Sequence, residues 1–248
     1  MKLSYTTVSE TGLRRSNNED AVLFYTPEKP WIEQSMGTLA VVSDGMGGYA
    51  RGEKASAMAI EILKEVYYNG VGSPKETLQK AGIAVNNAIA KEGIASGNRM
   101  GTTCTAVVVL EDKLYFLHIG DSRCYFFQSG LLKQMTTDHT AANEMALSAS
   151  LRSSEQTMFF NPHALTKAMG MEVTDSCHAD VFSVPNTLEK GDRILICSDG
   201  LFLHVKNQEL QEILQQKLSL DETRDKLVKM VMQRGAKDNF SFILMQYE

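Results

Sequence analysis

The sequence predicts an α+β fold: two antiparallel β-sheets stacked as a sandwich, with a pair of helices on each outer face. Three observations carry this. Apolar, β-branched and aromatic runs follow one another without helices between them, at 103–110, 113–119 and 123–128. Helical periodicity comes in two adjacent pairs of segments rather than after each strand, which argues against an alternating parallel sheet. Hydrophobic residues make up 43% of the 248, enough for a sizeable core in one domain over 1–248.

Taken in order, strand patterning covers 3–8, 21–26 and 38–42. A helix is predicted over 53–67, where Ala55, Met58, Ile62 and Val66 share a face, and a second over 75–91, where Leu78, Val85 and Ile89 do, with Pro74 suited to its first turn. After the three consecutive strands, Gly130 lies in a hairpin turn between 123–128 and 131–135. Residues 139–168 break the pattern. They are polar, rich in Ser and Met and weakly periodic, and they read as an excursion from the core with partial helix. A strand over 193–197, helices over 208–216 and 221–233, and a final strand over 240–247 complete the chain.

The formal net charge of −5 argues against nucleic-acid binding, which rests on Lys and Arg neutralising phosphates. The four cysteines form no C-x-x-C pair and no cluster with zinc spacing, so a disulfide framework is not expected and a reducing compartment is. Residues 1–10 contain no apolar signal core, and no apolar run approaches the ~20 residues that span a bilayer. A cytoplasmic location is therefore expected, without a membrane partner. The sequence contains no coiled coil or dimerisation motif, so a monomer is expected.

The chemistry is concentrated in acidic residues at strand ends. The runs ending in Ser43-Asp44-Gly45 and in Ser198-Asp199-Gly200 are alike, a third strand ends in Gly120-Asp121-Ser122-Arg123, Asp238 stands before the final strand, and Glu19 and Asp20 stand before another. Any one Asp-Gly is ordinary turn chemistry. Five such sites on buried strands bring carboxylates together, and like charges that close need a cation. An all-oxygen set selects Mg²⁺, Mn²⁺ or Ca²⁺ over zinc or copper. The segment from Gly12 to Asp20 adds Arg14 and Arg15 beside two carboxylates, and a guanidinium fork matches a phosphate. Of the histidines, His118 reads as a packed residue and His139 as a stabiliser where the excursion leaves the core.

These motifs occur in a recognisable order: Ser9-Glu-Thr-Gly12, Arg15, Asn18-Glu-Asp20, Asp44-Gly-Met-Gly-Gly48, Gly52-Glu53, Met100-Gly-Thr-Thr103, Gly120-Asp-Ser-Arg123, Thr137-Asp-His139, Ser198-Asp-Gly200 and Lys237-Asp-Asn239. Over nearly the whole chain it resembles the metal-dependent serine/threonine phosphatases of type 2C, in their small bacterial form. The resemblance implies a binuclear Mn²⁺ or Mg²⁺ centre with Asp20, Asp44, Asp199 and Asp238 as carboxylate ligands and Gly45 giving its carbonyl. Glu19 would hold metal-bound water, Arg15 would grip the substrate phosphate, and Asp121 would help hold a third, weaker ion. The implied reaction is hydrolysis of phosphoserine and phosphothreonine on proteins by metal-activated water, in signal transduction, reversing a bacterial Ser/Thr kinase on that kinase and its targets. The segment of about 138–169 falls at the family's flap. The chain departs from the family in having Glu10 where Asp is usual, and Met46 and Tyr49 where many members carry histidines. No side chain of that motif is then an evident proton donor. Two rival readings are a non-catalytic binding module on the same fold and a phosphatase dedicated to one regulator; the full carboxylate set disfavours the first, and the flap together with Asp121 the second.

Overall fold

The computed structural model describes residues 3–46, 51–149 and 164–248. Its elements in chain order are β1 (Leu3–Glu10), β2 (Asp20–Tyr25), α1 (Pro30–Met36), β3 (Thr38–Asp44), α2 (Gly52–Asn69), α3 (Pro74–Ser96), β4 (Cys104–Val109), β5 (Lys113–Ile119), β6 (Arg123–Gln128), β7 (Leu131–Gln134), α4 (Ala141–Ala149), β8 (Asp180–Pro185), β9 (Arg193–Cys197), α5 (Asp199–Phe202), α6 (Asn207–Leu214), α7 (Leu220–Gln233) and β10 (Phe240–Tyr247). One sheet has the order β1-β10-β9-β6-β7 and the other β2-β3-β4-β5-β8, with all pairings antiparallel. The sandwich expected from the sequence is present.

The central strands are buried on both faces, which is why they read as unbroken apolar runs. On β3, Leu39 and Val41 pack outward with Ala55, Ala59, Leu63, Leu78 and Val85 of α2 and α3. Ala40 and Val42, one residue out of phase, pack inward with Phe116, Ile194, Ile196 and Ile243 between the sheets. On the other face, Leu195, Phe242 and Leu244 meet Leu210, Ile213, Leu227 and Val231 of α6 and α7. Each large side chain buried this way contributes about 1.5–3 kcal/mol. Residues Ser73 and Glu76 close a capping box on α3, with Pro74 in its first turn, and Ser219 with Glu222 does the same on α7.

Three elements were not anticipated, one of them α5, a four-residue helix that starts at Asp199 where the sequence reads as a turn. Helix α1 buries no side chain, so it has no apolar face to read. Strand β8 is an edge strand beside β5 with only partly buried residues, and it ends in Pro185, which an edge tolerates. Helix α4 is the described part of the predicted partial helix in the excursion; residues 150–163 lie outside the described residues, as do Gly47, Gly48 and Tyr49. The excursion is pinned at its root: Ala141 N–H donates to Ala164 O at 3.0 Å and Thr166 N–H to His139 O at 2.9 Å. Among the described residues, no helix is long and apolar enough to cross a membrane.

Candidate metal centre

The antiparallel topology gathers the acidic residues at one end of the sandwich. Asp20 opens β2 and Asp44 closes β3, and the register sets them directly opposite each other. On the other sheet, β9 ends at Cys197 and β10 begins at Phe240, so Asp199 and Asp238 reach the same end. Ser198 and Ser241 lock those ends together: Ser198 N–H donates to Ser241 O at 2.9 Å, and Ser241 N–H to Ser198 Oγ at 3.0 Å. Ser198 also bridges the sheets, its hydroxyl donating to Asp20 Oδ2 at 2.8 Å.

Burial sets the electrostatics. It pushes the Asp20 carboxyl up to about 6, with Asp238 adding to the rise and the Ser198 hydrogen bond opposing it. Asp199 is pushed up to about 7, first by burial and then by Asp121, Asp238 and Asp20, against the pull of Arg15. Asp44 is raised well above the usual carboxylate range by burial and by the charges of Asp20, Asp199, Asp121 and Asp238. Glu19 is raised by burial and by Glu53. Four carboxyl groups held above their ordinary range make a site that takes up either protons or cations.

The donors fit hard cations. Asp20 Oδ1 is the buried side-chain polar atom that lacks a hydrogen-bond partner among the described residues. An ion would satisfy it. Backbone atoms approach closely as well: a Cβ on Gly45 would sit 2.3 Å from Gly52 O and 2.6 Å from Glu19 O, so only glycine leaves this backbone open. The side chains do not already converge, since no group of three acidic, His or Cys residues among those described is placed to grip one ion. Several of the carboxylate oxygens are already engaged. Arg15 Nη2 holds Asp238 Oδ2 at 2.7 Å, Asn239 N–H donates to Asp238 Oδ1 at 2.9 Å, and Ser198 takes Asp20 Oδ2. An ion bound through Asp238 Oδ2 would compete with Arg15 for that oxygen.

The structure thus brings Glu19, Asp20, Asp44, Gly45, Asp199 and Asp238 to one end, with Arg15 paired to Asp238. Asp121 lines an open cleft together with Asp199. Arg14 is exposed. Sequence reasoning placed Asn239, Ser43, Thr102 and Thr103 inside motifs or strands without giving them work. Asn239 fastens the Arg15 loop: its Nδ2 donates to Thr11 O and Asn17 O, both at 2.9 Å, and its Oδ1 accepts from Glu19 N–H at 3.0 Å. Buried hydroxyls fasten the Asp44 turn. Thr103 Oγ1 accepts from Asp44 N–H at 2.9 Å, Thr102 Oγ1 donates to Asp44 O at 2.8 Å, and Ser43 Oγ donates to Thr103 O at 2.6 Å. Thr103 Oγ1 also lies 2.8 Å from Ser122 Oγ, linking the Asp44 turn to the Asp121 turn. His118 is packed as expected, its Nε2 3.0 Å from Thr137 O. His139 accepts from Gly120 N–H through Nδ1 at 3.1 Å, tying the root of the excursion to the same turn.

Comparison with known proteins finds relatives over most of the chain. The family model described as Protein phosphatase 2C matches residues 14–244. The serine/threonine phosphatase stp of Listeria innocua is 30% identical over 241 residues, covering 94% of this chain and 91% of its own. Serine/threonine phosphatase Stp1 from Staphylococcus aureus superposes with a TM-score of 0.85 at 27% identity, over 100% of this chain and 96% of that one. The catalytic domain of the serine/threonine protein phosphatase PstP, solved in complex with two manganese ions, superposes with a TM-score of 0.78 at 31% identity, covering 98% of this chain and 97% of that one. With a family match over residues 14–244 and a relative 30% identical over nearly its whole length, the chain belongs to the protein phosphatase 2C family.

Proposed function

We propose that the carboxylate end of the sandwich holds two Mn²⁺ or Mg²⁺ ions on Asp20, Asp44, Asp199, Asp238 and the Gly45 carbonyl, and that this centre hydrolyses phosphoserine and phosphothreonine on proteins. The chain is a phosphoprotein phosphatase by family, and the family is metal-dependent. The observation that carries the assignment of ligands is the unpartnered, buried Asp20 Oδ1 within a group of carboxyls that burial and mutual repulsion hold above their ordinary range.

When bound, divalent cations supply charge opposite the phosphoryl oxygens and acidify water. The residues divide the remaining tasks. Arg15 presents its guanidinium fork to the substrate phosphate, exchanging Asp238 for a dianion. Glu19, beside Asp20, would hold metal-bound water. Asn239, Thr102 and Thr103 keep the ligand-bearing turns in register. Asp121, which raises the Asp199 carboxyl, supports a third and weaker ion. The substrates are phosphorylated proteins, among them a bacterial Ser/Thr kinase and its targets, acted on by a cytoplasmic monomer. A phosphopeptide assay in Mn²⁺, with Asp44→Asn and Asp199→Asn beside the wild type, tests the assignment: both variants lose turnover if these residues are ligands, and retained turnover would remove them from the centre.

A further inference from the structure

A cleft of about 1140 Å³ opens beside the metal centre, and Asp121 and Asp199 line its inner end. Pockets that hold one small ligand are roughly 300–1,000 Å³, so this one has room for more than a phosphate. Helix α4 contributes Asn143 to its lining, and the α5–α6 junction contributes Phe202, Lys206 and Asn207. Arg123 is held firmly among the lining residues. Arg123 Nη2 grips Asp138 Oδ2 at 2.6 Å, its Nε adds two contacts at 3.0 Å, and its guanidinium lies 3.7 Å over the Phe202 ring.

Hydrogen bonds fix what the two asparagines offer. Arg123 Nη1 donates to Tyr125 Oη at 3.1 Å, and Tyr125 Oη in turn donates to Asn207 Oδ1 at 3.1 Å. The Asn207 oxygen is therefore engaged, and its NH₂ is left as a donor. Asn143 uses its NH₂ on Asp138 O at 2.8 Å, and its oxygen is left as an acceptor. A free donor and a free acceptor on the lining of one cleft match the alternating C=O and N–H groups of an extended peptide. Arg123 is neutralised by Asp138, whereas Lys206 also lines the cleft, and no carboxylate among the described residues forms an ion pair with it, although its charge helps to lower the Glu209 carboxyl.

We infer that this cleft receives the substrate segment next to the phosphorylated residue, holding its backbone between Asn143 and Asn207, and that Lys206 makes the enzyme prefer an acidic side chain there. The inference rests on the phosphatase reading, and continuity with the carboxylates at Asp121 and Asp199 is what commits the cleft to substrate.

The test uses the wild-type protein in Mn²⁺ and phosphopeptides of one sequence, with Glu, Gln or Lys substituted in turn at each of the three residues on either side of the phosphoserine. Each kcat/KM is divided by that for p-nitrophenyl phosphate, which has no flanking residues. Wild type should favour Glu over Gln by about threefold at one or more positions, the effect of an exposed ion pair. Lys206→Ala should erase that preference and Lys206→Glu should invert it towards Lys. Asn207→Asp keeps the oxygen that Tyr125 needs and removes the donor; it should lower the peptide-to-aryl ratio about fivefold, the worth of one hydrogen bond. A wild type indifferent to flanking charge, or ratios unchanged in Lys206→Glu, would overturn the inference while aryl phosphate turnover leaves the phosphatase reading standing. Absence of aryl phosphate turnover in the wild type would instead remove the reading on which the inference rests.

Discussion

Replacing Asp20 by Asn should stabilise the metal-free protein while destroying its response to metal. The Asp20 carboxyl is moved from 3.8 to about 6 by burial. A group whose folded pKa is raised is tolerated while protonated and weakens the fold once ionised. The penalty begins near pH 4, where the unfolded chain ionises, and is complete above the folded value. The difference of about two pH units corresponds to roughly 3 kcal/mol. Asn is isosteric, keeps an oxygen for the Ser198 hydroxyl, and carries no charge at any pH. In chelator at pH 8, Asp20→Asn should therefore unfold about 6–12 °C above wild type, at roughly 2–4 °C per kcal/mol for a domain of this size. The advantage should shrink as the pH falls towards 4. Added Mn²⁺ should raise the midpoint of wild type at pH 8 by binding the buried carboxylate and offsetting its penalty, and should leave Asp20→Asn nearly unmoved. Thermal unfolding of both proteins across that pH range, with chelator and with Mn²⁺, measures all of this. If Asp20→Asn melted below wild type at pH 8 in chelator, the buried Asp20 carboxylate would not carry the penalty described here.

Three further outcomes are expected. Arg15→Ala should lose about 1.5–3 kcal/mol in kcat/KM on a phosphopeptide, the worth of a hydrogen bond to a charged group, mostly through KM, with Arg15→Lys recovering part and Arg14→Ala none; calorimetry on Arg15→Ala should show unweakened Mn²⁺ binding, because the competitor for Asp238 is gone. Asp121→Ala should still bind two ions by titration calorimetry yet turn phosphopeptides over far more slowly, and an unchanged rate with an unchanged number of sites would return Asp121 to a turn residue. Asn239→Ala should destabilise the protein by about 1–3 kcal/mol in denaturant unfolding, since it strands the Glu19 amide and two loop carbonyls; a variant as stable as wild type would show that the loop holds without it.

Those residues also mark how far the sequence could be read. The central strands were legible because burial on both faces writes itself as continuous apolar runs such as Leu39–Val42, and α2 and α3 because one face packs on a sheet. Helix α1 and strand β8 bury too little to leave a pattern. The carboxylates were legible as Asp at strand ends, a one-residue signal repeated across both sheets. Their supports were not. Nothing about Thr103 or Ser122 announces a hydroxyl pair 2.8 Å apart, since that contact joins turns nineteen residues apart. The Asn239 clamp likewise exists only once β1 and β10 are paired, 228 residues separating it from Thr11. The cleft beside α4 is assembled from separate elements in the same way.

The central claim is that cations held by these carboxylates are required for phosphoester hydrolysis. The direct measurement is turnover of a phosphoserine peptide by the purified protein, first in excess chelator and then with Mn²⁺ restored, followed by release of inorganic phosphate. Negligible turnover in chelator, with full recovery on adding Mn²⁺ in wild type and none in Asp44→Asn, is the expected result. Undiminished turnover in excess chelator would contradict it.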